Sequence, residues 1–127
     1  MSRACRALVV AVALLLEGCN RQDATLNHSD ALAVGGDAVR GVKAIQEAGC
    51  GSCHYIPGVA GAHGMVAAPL TWFSRRTFIA GEVPNTAENL VLWIRSPQAI
   101  EPHTAMPSAG LTDQQARDVA AFLYTLR

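Results

Sequence analysis

The stretch Cys50-Gly51-Ser52-Cys53-His54 constrains this chain more than any other. Two thiols two residues apart, with an imidazole directly behind them, suit three chemistries. A structural zinc site needs four ligands, typically a second Cys-x-x-Cys or a histidine pair at finger spacing. No second pair exists: the other cysteines, Cys5 and Cys19, lie near the N-terminus, and His63 and His103 stand far apart. A redox-active dithiol belongs in a βαβ context, and nothing in the chain reads as one. Covalent haem attachment uses all the residues. Each thiol forms a thioether to one vinyl group, the gap lets both sulfurs reach the same ring edge, and the adjoining histidine becomes the proximal iron ligand.

Export fits that chemistry. Ala7–Leu16 is a run of ten apolar residues behind Arg3 and Arg6. It has the layout of a secretory signal and falls well short of the ~20 residues a membrane-spanning helix needs. It ends in Leu16-Glu17-Gly18-Cys19, which resembles the lipobox of bacterial lipoproteins, with Glu17 as the departure. The expectation is a signal peptide over 1–18 and a lipid anchor on Cys19; the alternative is an ordinary cleaved signal. Cleavage before Cys19 would take Lys+Arg from 10 to 8 and Asp+Glu from 10 to 9, a net charge of −1. With no basic stripe, nucleic acid is excluded as a partner. Residues 19–36, polar and then small and Gly-rich, read as a flexible tether, and 37–127 as the domain.

The domain reads as all-α. Asp37 is a plausible N-cap for a first helix whose Ala38, Val42 and Ile45 share a face; Gly49 ends it. Gly41 weakens that helix by about 1 kcal/mol relative to alanine, which points to close packing. Residues 54–71, rich in glycine with Pro57 and Pro69, are loop, and 71–81 has room for a turn or two of helix. In a second helix, Asn85 and Glu88 have capping-box spacing. Ala87, Leu90, Val91 and Ile94 form its stripe, and Pro97 marks its end. Thr112 and Gln115 form a second box at the start of a third helix, with Ala116, Val119, Ala120 and Leu123 inward. No segment alternates with strand period. Three helices around such short apolar seams make a marginal core at this size, and a haem would fill it.

A carrier of electrons wants a second axial ligand on the iron, whereas an open position invites ligand binding or peroxidase chemistry. The candidates are Met65, His63, Met106 and His103. Met65 and His63 lie in the Gly-rich loop. Met106 lies in Thr-Ala-Met-Pro-Ser, bracketed by Pro102 and Pro107, between two helices rather than in an apolar stripe, and is the preferred ligand.

The CGSCH motif, Pro69-Leu70, ENLVLWIRSPQAI, TAMP and the terminal VAAFLYTL together resemble a class I cytochrome c over residues 35–127. The series that includes AGEVPNTAENL is especially similar to the cytochrome c domain fused to subunit II of some bacterial haem–copper oxidases. Without that subunit's copper-binding and membrane parts, the chain looks like the domain freed and given its own signal. The resemblance implies a small fold of three main helices and long loops wrapped around one covalent haem c. It implies that Pro69 offers its carbonyl to the proximal histidine, that Trp93 lies beside the haem, and that Arg75 or Arg76 pairs with the propionates. It also places Gly41 where the first helix crosses Phe122 of the last. His103 stands where many members have glycine.

The function expected is single-electron transfer rather than bond-making catalysis, with His54 and Met106 as iron ligands. The haem would be held by Cys50 and Cys53 and flanked by Pro69, Trp93 and Arg75. Its setting would be an aerobic respiratory chain on the periplasmic side of the membrane, delivering electrons to a membrane complex, a haem–copper oxidase. The alternatives are a haem peroxidase or gas-binding protein with an open sixth site, and a haem-containing adaptor subunit of a respiratory complex.

Overall fold

The computed structural model describes residues 34–127. The expected signal peptide, Cys19 and most of the expected tether lie outside the described residues. Among the described residues three α-helices carry the fold: α1 (Ala38–Glu47), α2 (Ala87–Arg95) and α3 (Asp113–Leu123). One antiparallel hairpin, β1 (Phe78–Ile79) with β2 (Val83–Pro84), interrupts the loops. Strand period was not expected there, and two residues per strand are too few to show it. The reversal runs through Ala80 and Gly81, both at positive φ.

The Asp37 side chain caps α1, accepting from Arg40 N–H at 2.8 Å. Gly49, at φ 69°, turns the chain out of the helix. The capping box of α3 forms as expected between Thr112 and Gln115. At α2 the cap is Thr86, not Asn85: the Thr86 hydroxyl accepts from Asn89 N–H. Asn85 is used elsewhere. Its amide donates to Arg76 O (2.9 Å) and Phe73 O (3.2 Å) and accepts from the Tyr124 hydroxyl (3.0 Å). A cap needs only an acceptor, whereas this junction needs a group that both donates and accepts. The amide therefore goes to the tertiary contact, although asparagine is the better cap.

α1 and α3 cross at Gly41. A Cβ there would lie 2.1 Å from the Asp118 carbonyl oxygen and 3.0 Å from Phe122 Cβ, so the expected Phe122 contact is joined by a closer one to backbone. Asp118, almost fully buried, bolts the crossing. Arg40 donates to both its oxygens, at 2.8 and 2.9 Å, and Asp37 N–H and Gln114 Nε2 bind the same carboxylate. The expected tether ends earlier than 36. Val34 is fully buried, Arg117 and Gln114 donate to the carbonyls of Val34 and Gly35, and Gly36 lies against the Arg117 carbonyl. Ile45, Leu90, Ile94, Val119 and Ala120 pack into one core. Each large side chain among them contributes roughly 1.5–3 kcal/mol on burial.

The hydrogen bonds from Arg40, with lesser help from Asp37 N–H and Gln114, hold the Asp118 carboxyl down at about 2 against the desolvation that opposes them. Aspartate in an unfolded chain titrates near ~3.9. The unfolded chain therefore takes up the proton first, so this contribution is complete above about pH 4 and disappears as pH falls toward about 2. Thermal melts of the haem-loaded protein between pH 5 and pH 2 should show this loss. Asp118→Asn should start less stable and lose less across the same interval; an identical acid slope would contradict the assignment.

Candidate functional site

The motif begins where α1 stops. Cys50–Ser52 forms one 3-10 turn, and Cys53 and His54 N–H groups both donate to the Cys50 carbonyl, at 3.3 and 3.0 Å. This turn follows from Gly49, whose left-handed backbone redirects the chain within one residue. Cys50 and Cys53 are free thiols, each half-buried. Burial pushes the Cys50 thiol above its usual range, with the nearby Cys53 adding to the shift.

The following loop folds back over the motif. Gly64 N–H donates to Gly51 O, and Val66 and Ala67 N–H both donate to Cys53 O. The approach admits no side chain: a Cβ on Gly64 would lie 2.4 Å from the Cys53 carbonyl carbon, and one on Gly51 would lie 2.6 Å from Ala62 Cα.

His54 Nδ1 sits 2.7 Å from the Ala68 carbonyl oxygen. A carbonyl only accepts, so Nδ1 carries the ring proton and Nε2 keeps its lone pair free for a metal. The accepting carbonyl is thus that of Ala68, one residue before the expected Pro69. The Pro69 carbonyl instead accepts from Arg76. The Arg76 guanidinium also reaches Thr71 O and lies over the Phe73 ring at 5.2 Å, and burial pulls its pKa down.

The remaining candidates are spread over several elements. Trp93, on α2, is half-buried against the core. Arg75 is exposed and stacks on Trp72 at 5.0 Å. His63 packs its ring on Tyr55, Met65 is 93% exposed, and His103 is exposed. Met106 is half-buried, in the loop between α2 and α3. Its N–H donates to Thr104 Oγ1 at 3.2 Å and its carbonyl accepts from Gln98 Nε2 at 2.7 Å. Neither Ala68 nor Gln98 stands out in the sequence: a backbone carbonyl has no residue signature, and a glutamine after a helix has none either.

A depression of about 370 Å³ between the end of α1, the motif turn and residues 59–62 is lined by none of the proposed iron or thioether ligands. Among the described residues, no three His, Cys, Asp or Glu side chains converge as a metal cage. Two free thiols on one turn, and an imidazole with its Nδ1 proton committed, instead fit a covalently attached haem with its iron on Nε2.

The sequence profile of the family described as Cytochrome c matches residues 38–127. Cytochrome c oxidase subunit 2 of Alkalihalophilus pseudofirmus is 34% identical over 90 residues, 71% of this chain and 25% of that protein. The chain thus spans about a quarter of that relative's length. No solved structure matches.

Proposed function

Because the chain belongs to the cytochrome c family, whose members bind haem c covalently and transfer electrons, we propose that it is a one-electron carrier whose iron ligands are His54 and Met106. When bound, the haem supplies a single-electron iron couple. The protein's part is to hold that couple still. Cys50 and Cys53 fix the ring edge, Ala68 sets the imidazole, and the Met106 loop supplies a thioether, whose ligation raises the potential. The observation that carries the reading is the His54–Ala68 hydrogen bond, which leaves Nε2 as the ligating atom. Met106 is favoured over Met65 because its backbone is held on both sides, whereas Met65 stands in solvent. Trp93 would flank the haem and Arg75 would reach a propionate.

The oxidase-subunit relative supports delivery of electrons to a haem–copper oxidase. No described helix is long and apolar enough to cross a membrane. Attachment to the membrane would rest on a lipid at Cys19, on the periplasmic side. Lys43 is the single lysine, so basic steering contributes little; an anchor would instead raise the local concentration near the oxidase. One expression experiment in a host that matures c-type haem tests both points. Wild type should sediment with membranes and keep its haem through denaturing electrophoresis. Cys19→Ser should keep its haem but move to the soluble periplasmic fraction. Haem released by acid–acetone would refute attachment, and a membrane-bound Cys19→Ser would refute the anchor.

A further inference from the structure

We infer that Gln98 is a positioning residue for Met106, holding the thioether in place through the backbone rather than touching it. The inference rests on the reading of Met106 as an iron ligand.

Gln98 stands in the 3-10 turn Pro97–Ala99 directly after α2. That turn is firmly seated. Pro97 is among the most deeply buried side chains, and its carbonyl accepts from both Ile100 and Glu101. From this base the Gln98 amide uses both of its ends. Nε2 donates to the Met106 carbonyl at 2.7 Å, and Oε1 accepts from the Ser108 hydroxyl at 3.2 Å. One planar amide therefore grips the chain on either side of Pro107, a residue with no N–H of its own to offer.

The segment has little else. Between Thr104 and Thr112, no described N–H donates to a backbone carbonyl. The Met106 N–H goes to Thr104 Oγ1, a contact within the same loop. The Gln98 amide is what ties the methionine to the helical frame. Such a tether governs how often the loop swings away and leaves the sixth position to an external ligand.

The test uses haem-loaded protein. Gln98→Leu keeps volume and removes both hydrogen bonds. Gln98→Glu keeps the acceptor for Ser108 and, at neutral pH, loses the donor to Met106. The measurements are imidazole affinity of the ferric form, the pH at which the far-red sulfur-to-iron band is lost, the midpoint potential, and the melting midpoint. Gln98→Glu should bind imidazole about fivefold more tightly than wild type, the factor one lost neutral hydrogen bond implies, and Gln98→Leu, which loses two, at least as tightly. Both should lose the band at lower pH and have a lower potential. A general packing defect would shift the melting midpoint without these ligand effects. Variants within twofold of wild type in imidazole affinity, with the wild-type band present, would overturn the role of Gln98 alone. A wild type without the band, binding imidazole freely, would overturn the Met106 reading and this inference with it.

Discussion

On the proposed Met106 ligation, wild type should not bind carbon monoxide, and Met106→Ala should bind it stoichiometrically in the ferrous state. The alanine methyl group has no lone pair to offer, and His103, three residues away in the same loop, is exposed; the double variant Met106→Ala/His103→Ala removes it as a substitute ligand. The loop's Thr104 and Gln98 contacts are to backbone and persist in the variant, so the thioether is lost while the loop stays in place. The far-red sulfur-to-iron band should vanish and the potential should fall, because methionine ligation raises it. Hydrogen peroxide turnover should appear where wild type has none. Met65→Ala should change none of these, since that side chain is 93% exposed. Free binding of carbon monoxide by the wild type would move the reading to a gas-binding or peroxidase protein.

Gly41→Val should be strongly destabilising although it lies away from the proposed haem ligands. Even the first added atom would lie 2.1 Å from the Asp118 carbonyl oxygen. That atom is helix backbone and cannot rotate aside, so α1 must move off α3. The shift would also pull Arg40 and Asp37 from the buried carboxylate they bind. A cost of about 3 kcal/mol is expected, the upper end for overpacking. For a domain of this size that lowers the melting midpoint by roughly 12–24 °C. Gly49→Ala is the control. No atom lies within 4 Å of its added Cβ, and only the positive φ is strained, so about 1 kcal/mol is expected. Equal melting midpoints for wild type and Gly41→Val would remove the close crossing.

What could be read from the residues was what depends on near neighbours. The motif, the three helices, the Asp37 cap and the Thr112–Gln115 box all act over a few residues, and each leaves a spacing in the sequence. What could not be read depends on a partner far along the chain. Asn85 looks like a cap because asparagine caps well, yet Tyr124 and two distant carbonyls claim its amide. Asp118 falls outside the apolar stripe Ala116, Val119, Ala120 and Leu123, and nothing near it in sequence marks it as buried. Its burial makes sense only beside Arg40, and no periodicity links the two. Val34 falls before the first helical repeat, and its place against α3 comes from Arg117. Ala68 differs again: its contribution is a main-chain carbonyl, which every residue carries, so the register of the His54 bond was open by one position.

The Asp118 bolt also has a meaning in time. Asp37 and Arg40 must wait for a carboxylate 81 and 78 residues further along, and contacts of such separation form slowly because a long loop must close before they are rewarded. While Asp118 remains apart from Asp37 and Arg40, α1 has no α3 across it, and the turn bearing Cys50 and Cys53 hangs from an isolated helix of ten residues, too short to persist in water by itself. The two thiols proposed for attachment would then be open to whatever machinery joins them to haem. Once the bolt closes, the turn is fixed and Cys50 is half-buried. On the proposed attachment, the thiols are most open before Asp118 reaches Arg40 and Asp37.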